Sequence, residues 1–351
     1  AVGECALSNN TTANENTAVG FCSLYTNTTG VRNTGLGRQT LRGNTTGCCN
    51  VAVGSNSLIS ATTGDFNVAV GGGSMTNGTV TGNNNTAVGA CSLASNTTAS
   101  NNTAIGFSAL CANTTGACNI AIGTNALIAN TSASTQVAIG YNSLCRATTG
   151  HSNVAMGLNS ASILTTGIRN VAIGDQVMGS VTTGSYNTSL GYAAGYSLTT
   201  GAGNLLLGKD AGRGTSPFTV STQSDRIVLG DTNITNAYIQ VAWTVTSDLR
   251  DKTEIADVPH GLAFVDKLKP VSFRFKKSRE DDTPHGTKHY GFLAQDILEL
   301  EGSDNVIIDN EQPEKLKYKG EHLVPVLVNA IKELKAQNED LKSRIEVLES
   351  N

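Results

Sequence analysis

Proline, aromatic rings and charge are all scarce in this sequence. Of 351 residues, 6 are proline, 5% are aromatic and 15% are charged. So little proline excludes a proline-rich disordered tract. The 38 glycines do not recur at every third position, which excludes a collagen. No apolar run approaches the roughly 18 residues of a membrane span, so no membrane insertion is expected. The net charge of −4 leaves no basic footprint for nucleic acid. An initiator methionine is also missing, and Ala1-Val2-Gly3 reads as the end of a repeat unit. The chain is therefore expected to be the C-terminal part of something longer, with any targeting signal upstream.

What charge there is lies unevenly. Residues 1–246 carry 8 Lys/Arg and 7 Asp/Glu, whereas residues 247–351 carry 16 and 21. Two different kinds of protein are joined here.

The first kind is a repeat. Ala-Val-Gly, Ala-Ile-Gly and variants end at Gly3, Gly20, Gly37 and onward to Gly208, and eleven of the twelve intervals are 17 residues. The exception, Gly71 to Gly89, is 18. Asn stands four residues before each glycine from Gly20 to Gly208, except where Gln136 replaces it. Leu stands four residues after the glycine in eight units, as at Leu24 and Leu110. Asn-Thr-Ala-Val alternates as a short strand does. Ser-Leu is expected to open a second strand with Leu inward, and Thr-Thr-Gly to turn the chain. One unit cannot bury its own apolar side, but a stack of units can. Gly, Asn and Thr are poor helix formers, so a helical repeat fails. The expected fold is mainly β: a parallel β-solenoid over 1–210 whose stacked Asn amides bond rung to rung. This pattern resembles the head repeats of trimeric autotransporter adhesins and the shafts of phage and viral tail fibres.

Several features inside the repeat imitate sites. All 8 cysteines lie in it, and Cys5, Cys22 and Cys91 share one repeat phase. They are expected to be reduced, buried small side chains; disulfides between rungs would need an oxidising compartment. No pair has zinc-ligand spacing, and neither metal nor cofactor is expected. Gly203 to Lys209 imitates a phosphate-binding loop, but Asp210 stands where that loop needs Ser or Thr. Asn27, Asn44 and Asn113 head glycosylation-type triplets that turn composition alone produces.

Residues 211–246 read as a β-rich neck, with strands expected near Ile227 and between Ala237 and Trp243. The single Trp243 is expected to cap the shaft. Then comes Thr246-Ser247-Asp248-Leu249-Arg250-Asp251-Lys252. A Ser with a Lys five residues on is a candidate nucleophile and base, provided the amine is neutral. The pairing alone says little, since most such pairs are solvated surface. Downstream lie Val271-Ser-Phe-Arg-Phe275, then His289-Tyr-Gly-Phe-Leu-Ala-Gln295, and a closing helix over 322–350. Val324, Ile331, Asn338 and Ile345 fall at heptad a positions, and Leu327, Leu334, Leu341 and Leu348 at d. This reads as a coiled coil whose Asn338 sets register.

The succession over 246–351 resembles the intramolecular chaperone, auto-processing domain of endosialidase-type phage tailspikes. The resemblance implies a small α+β domain over 247–351 that trimerises, aligns three shafts and cuts itself off. It implies Ser247 as nucleophile, Lys252 as base and Thr246–Ser247 as the scissile bond. Asp248 and Arg250 would orient the site, with His289 and Gln295 in a second motif. Asp251 departs from the family, which usually has an apolar residue there; a carboxylate beside the base opposes the neutral form that the chemistry needs. Any enzymatic activity would be a single-turnover serine endopeptidase, and the shaft is not enzymatic. The expected protein is a homotrimeric tail fibre of a virion, assembled in the host cytoplasm and joined to tail or capsid through an upstream part. Its partner would be a host surface receptor such as a glycan. The alternative is a bacterial trimeric surface adhesin with a non-cleaving chaperone cap.

Overall fold

The computed structural model describes residues 1–240, 245–276 and 279–350. It divides into two compact units, Ala1–Asp231 and Thr232–Asn351.

The first unit is a long parallel β-solenoid. Thirteen three-residue strands, from β1 (Thr17–Val19) to β13 (Ile227–Leu229), lie side by side in sequence order. Pairing is in register: Thr17 faces Thr34 and Val51 faces Val68, 17 residues apart. The central residue of each strand points inward. Ala18, Ala52, Ala69 and Ala104 are fully buried, while the flanking residues face out. Small residues hold this position up to Ser189, and Leu206 and Val228 take it in the last two strands. The core is one continuous column of Leu, Met, Val and Ala.

Glycine ends each strand for a steric reason. Gly20 has φ 131°, and a Cβ there would lie 2.4 Å from the carbonyl oxygen of Gly37 on the next rung. No other residue fits a backbone stacked that tightly.

The Ser-Leu segment departs from expectation. It forms a turn, and its Leu adopts a left-handed backbone, as at Leu24 (φ 52°) and Leu110 (φ 54°). That conformation costs about 1–2 kcal/mol for a residue with a Cβ. Complete burial of the side chain returns roughly 1.5–3 kcal/mol. The Leu24 amide also donates to Thr40 O on the next rung at 2.9 Å, so the bond a strand would supply is made without one.

The Asn column does more than form an amide ladder. Asn33 Nδ2 donates to Gly47 O at 2.7 Å, while Asn33 Oδ1 accepts the Asn50 amide at 3.0 Å. Each buried side chain thus bridges backbone groups on two rungs. Gln136 performs the same task, donating to Gly150 O and accepting from the Asn153 amide at 3.2 Å.

The boundary expected at residue 210 falls inside this unit. The last rung carries a longer loop, and Leu205 of β12 (Leu205–Leu207) pairs with Ile227 of β13, 22 residues on. That longer rung hides the repeat from a fixed-period reading. Residues 237–240 form no strand, and Trp243 lies outside the described residues.

The second unit is small and α+β. Helix α1 (Leu262–Val265) precedes an antiparallel pair, β14 (Val271–Lys276) and β15 (Pro284–Gly291). Helix α2 (Ala294–Glu301) leads to a second short pair, β16 (Ile308–Asp309) with β17 (Lys317–Tyr318), and then to the 27-residue helix α3 (Leu323–Glu349). Phe264, Ile297, Ile307, Ile308, Leu323 and Val326 form its core. Only the start of α3 joins that core; beyond Ala330 every residue of the helix is exposed.

Candidate functional site

The segment after Val245 owes its shape to one capped turn. Asp248 precedes the single turn Leu249–Asp251 with extended backbone, and its carboxylate accepts the Arg250 amide at 2.9 Å. The Arg250 guanidinium folds back on the same carboxylate, with Nη2 2.6 Å from Oδ2. This contact holds the Asp248 carboxyl below its usual range and pushes Arg250 up. Both groups are solvated, so the ion pair adds little stability. Its effect is geometric: the Lys252 amide closes the turn onto Leu249 O at 3.2 Å. Lys252 Nζ then reaches Ser247 Oγ and donates to it at 2.7 Å.

Four of the expected site residues therefore meet as two contacting pairs, Ser247 with Lys252 and Asp248 with Arg250. Asp251 makes no ion pair with Lys252 among the described residues. Thr246, Ser247 and Lys252 are exposed in the single chain. His289 and Gln295 stand apart. The His289 ring stacks on Phe273 at 5.8 Å and meets Phe275 edge-on at 5.5 Å, on the β14–β15 pair. Gln295 lies in the first turn of α2. No hydrogen bond joins either to Ser247 or Lys252 among the described residues.

Three supporting residues escaped the sequence reading. Glu301 is buried and accepts the amides of Ile307 and Ile308, the latter at 3.1 Å. Glu333 accepts the Leu262 amide at 2.8 Å and caps α1 from outside. Asn329 donates to Val258 O and His260 O at 3.1 and 3.3 Å. The last two tie α3 to the segment that follows Lys252. A signal existed for Glu333: Gly261 opens a helix with no cap of its own.

Residues 247–306 match the family model described as chaperone of endosialidase. The match opens on Ser247 itself and ends before α3. No curated protein and no solved structure matches the chain.

The imitations inside the solenoid resolve differently. The Gly203–Lys209 stretch contains β12 and lies in rung register. Asn27, Asn44 and Asn113 are fully buried, so their triplets are closed to glycosylation in the folded chain. Cysteine phase does not ensure burial. All eight are free thiols, but only Cys22 is buried, while Cys5, Cys91 and Cys118 are exposed. Cys22 shares its phase with the exposed Cys5 and Cys91, so a cysteine's neighbours on its own rung decide its burial. Burial pushes the Cys22, Cys111 and Cys145 thiols above their ordinary range. Among the described residues, no helix is long and apolar enough to cross a membrane, and no three His, Cys, Asp or Glu gather as a metal site.

Proposed function

We propose that this chain is a homotrimeric tail-fibre or tailspike shaft that presents a receptor-binding surface. Its C-terminal domain aligns the three chains and then releases itself. The observation that carries this reading is an uncovered apolar stripe. The third residue of all thirteen strands is Val, Leu, Ile or Met, and it faces out of the solenoid. Leu190 is 49% exposed and Leu229 54%. At about 4.8 Å per rung the stripe runs some 60 Å. A surface this long and apolar marks an interface. A partner that fits it must repeat at the same spacing, and another copy of this chain does. A second seam supports self-association: in α3, Ile331, Leu334, Leu341 and Ile345 are 48–66% exposed at a and d positions. Three copies rather than two rests on the likeness to the endosialidase chaperone.

Self-release would run through Ser247. Its Oγ attacks the Thr246 carbonyl carbon while Lys252 Nζ takes the hydroxyl proton. The new O–C bond replaces the C–N bond, and the proton passes to the departing Ser247 nitrogen. Water then hydrolyses the ester, leaving a Thr246 carboxylate and a free Ser247 amine and hydroxyl. A lysine does this only when neutral. Both side chains are solvated in the single chain, so cleavage should wait until assembly buries them.

Light scattering tests the assembly: a mass other than three times the 36.3 kDa chain, or three times its shaft fragment, refutes the trimer. Mass spectrometry of the mature protein tests release. The expected products separate between Thr246 and Ser247, and Ser247→Ala should remain whole. Intact wild-type chain in assembled trimers would remove the release step and favour the attached, adhesin-type cap.

A further inference from the structure

We propose that a groove near the start of the solenoid binds an acidic saccharide, with Arg42 holding its carboxylate. This rests on reading the shaft as receptor-binding and names the ligand class. The groove has a volume of about 390 Å³ and spans four rungs. That is enough for one or two sugar rings, at the low end of ordinary ligand sites.

Three departures from the repeat meet there. First, Tyr25 and Arg42 occupy the same repeat position on adjacent rungs, so an aromatic and a cationic residue line the groove from neighbouring backbone turns. Second, Gly43 follows Arg42, where the neighbouring rungs carry Thr26 and Ser60. Its missing side chain lowers the floor. A Cβ at Gly43 would also lie 3.0 Å from Ile59 O, so the gap is not easily filled. Third, Thr79 lines the groove from the 18-residue rung, the one with the extra residue between Gly71 and Gly89. In a shaft built by repetition, three departures from the repeat meet at one spot.

Charge points the same way. Arg32 pairs with Glu15 at 2.7 Å and Arg213 with Asp210 at 2.9 Å. Arg42 is exposed and has no acidic partner among the described residues. A planar guanidinium receives a carboxylate through two parallel N–H bonds. The Tyr25 ring offers a face for the apolar side of a sugar. The hydroxyls of Thr62 and Thr79 have no protein partner among the described residues and can bond sugar hydroxyls. A lone cation in a shaft with 8 basic and 7 acidic residues over 1–246 does not suit nucleic acid, whose binding takes several phosphate contacts at once. None of the lining residues belongs to a strand, so the groove is separate from the strand residues that form the apolar stripe. Three grooves per trimer would convert a weak site into useful avidity.

The test uses the full chain and a hexuronate oligosaccharide, oligogalacturonate, beside its neutral methyl ester, with binding read by calorimetry. Arg42→Gln should weaken oligogalacturonate binding at least about tenfold, the loss expected of a charge-assisted pair. Tyr25→Ala should weaken it several-fold. Arg146→Gln, which removes a surface cation outside the groove, should leave binding unchanged. Equal binding of the methyl ester, an equal loss in Arg146→Gln, or no binding of oligogalacturonate overturns the proposal. A glycan array run with wild type and Arg42→Gln separates the two readings. Glycan binding that ignores Arg42 keeps the receptor-binding shaft and removes this site. No binding to any glycan or host cell removes both.

Discussion

Replacing Asn102 by alanine should open the shaft locally, and the structure gives the size. Asn102 is 1% exposed. Its Nδ2 donates to Gly116 O at 3.0 Å and its Oδ1 accepts the Asn119 amide at 3.0 Å. Alanine removes both bonds. Gly116 O keeps the Asn113 side-chain amide as a donor at 2.9 Å, but the buried Asn119 amide is left without an acceptor. An orphaned buried group costs about 1–3 kcal/mol, so the substitution should cost roughly that much per chain. The van der Waals loss is secondary, because few atoms are removed. Asn102→Gln separates the two, since Gln136 already does this work in the native column. It should cost less than about 1 kcal/mol. A solenoid need not unfold in one step, so a global melt is a poor measure. Hydrogen exchange on the full chain is better: the Asn119 amide should lose most of its protection in the alanine variant and keep it in the glutamine variant. Equal protection in the two, or a cost below 1 kcal/mol for alanine, would refute the bridging role.

Two further outcomes follow from single contacts. Glu301→Ala leaves the buried amides of Ile307 and Ile308 without an acceptor and should cost the C-terminal unit roughly 2–5 kcal/mol, read by urea unfolding. Glu301→Gln, which keeps an acceptor oxygen, should fall between that and wild type. Iodoacetamide at pH 8 should label the exposed Cys91 and Cys118 before Cys145. Burial raises the Cys145 thiol, so less thiolate is present at that pH, and its labelling should gain more when the pH is raised further. Peptide mass spectrometry reads the order, and Cys145 labelled first would contradict the burial.

The sequence disclosed what is periodic or local. Stacking could be read from the Gly and Asn columns, because both residues are required by contacts that recur on every rung. The meeting of Ser247 with Lys252 could also be read, because five residues across a capped turn fix it without help from elsewhere. What stayed hidden depends on neighbours far along the chain. Leu24 looked like a strand residue because its burial is visible in sequence, while the rung-to-rung bond that permits its left-handed backbone is not. Glu301 and Glu333 looked like surface charges, yet one is buried beneath the amides of Ile307 and Ile308 and the other caps α1 from 71 residues away. The groove at Arg42 was equally silent, since its walls come from four different rungs.

Sameness along the shaft creates the problem that the C-terminal domain would solve. Suppose two copies pack through the stripe and one slips by a rung. Val19 then meets the surroundings of Leu36, and Ile105 those of Ile122, so every contact is replaced by a near equivalent. Of thirteen rungs one is lost, and the slipped state is only slightly less stable than the aligned one. The helix lacks this degeneracy. A slip of one heptad sets Asn338 against Ile331 or Ile345 of a neighbour, and an unpaired buried amide costs about 1–3 kcal/mol per chain. Register information is therefore concentrated in α3 and nearly absent from the solenoid. Residues 1–246 produced alone should aggregate or yield trimers with ragged ends, visible by light scattering and electron microscopy. The full chain should yield a single length, and Asn338→Ile should keep the trimer mass while broadening the distribution of lengths. Soluble, even-ended trimers from residues 1–246 alone would mean that the shaft finds its own register and that the domain serves some other end.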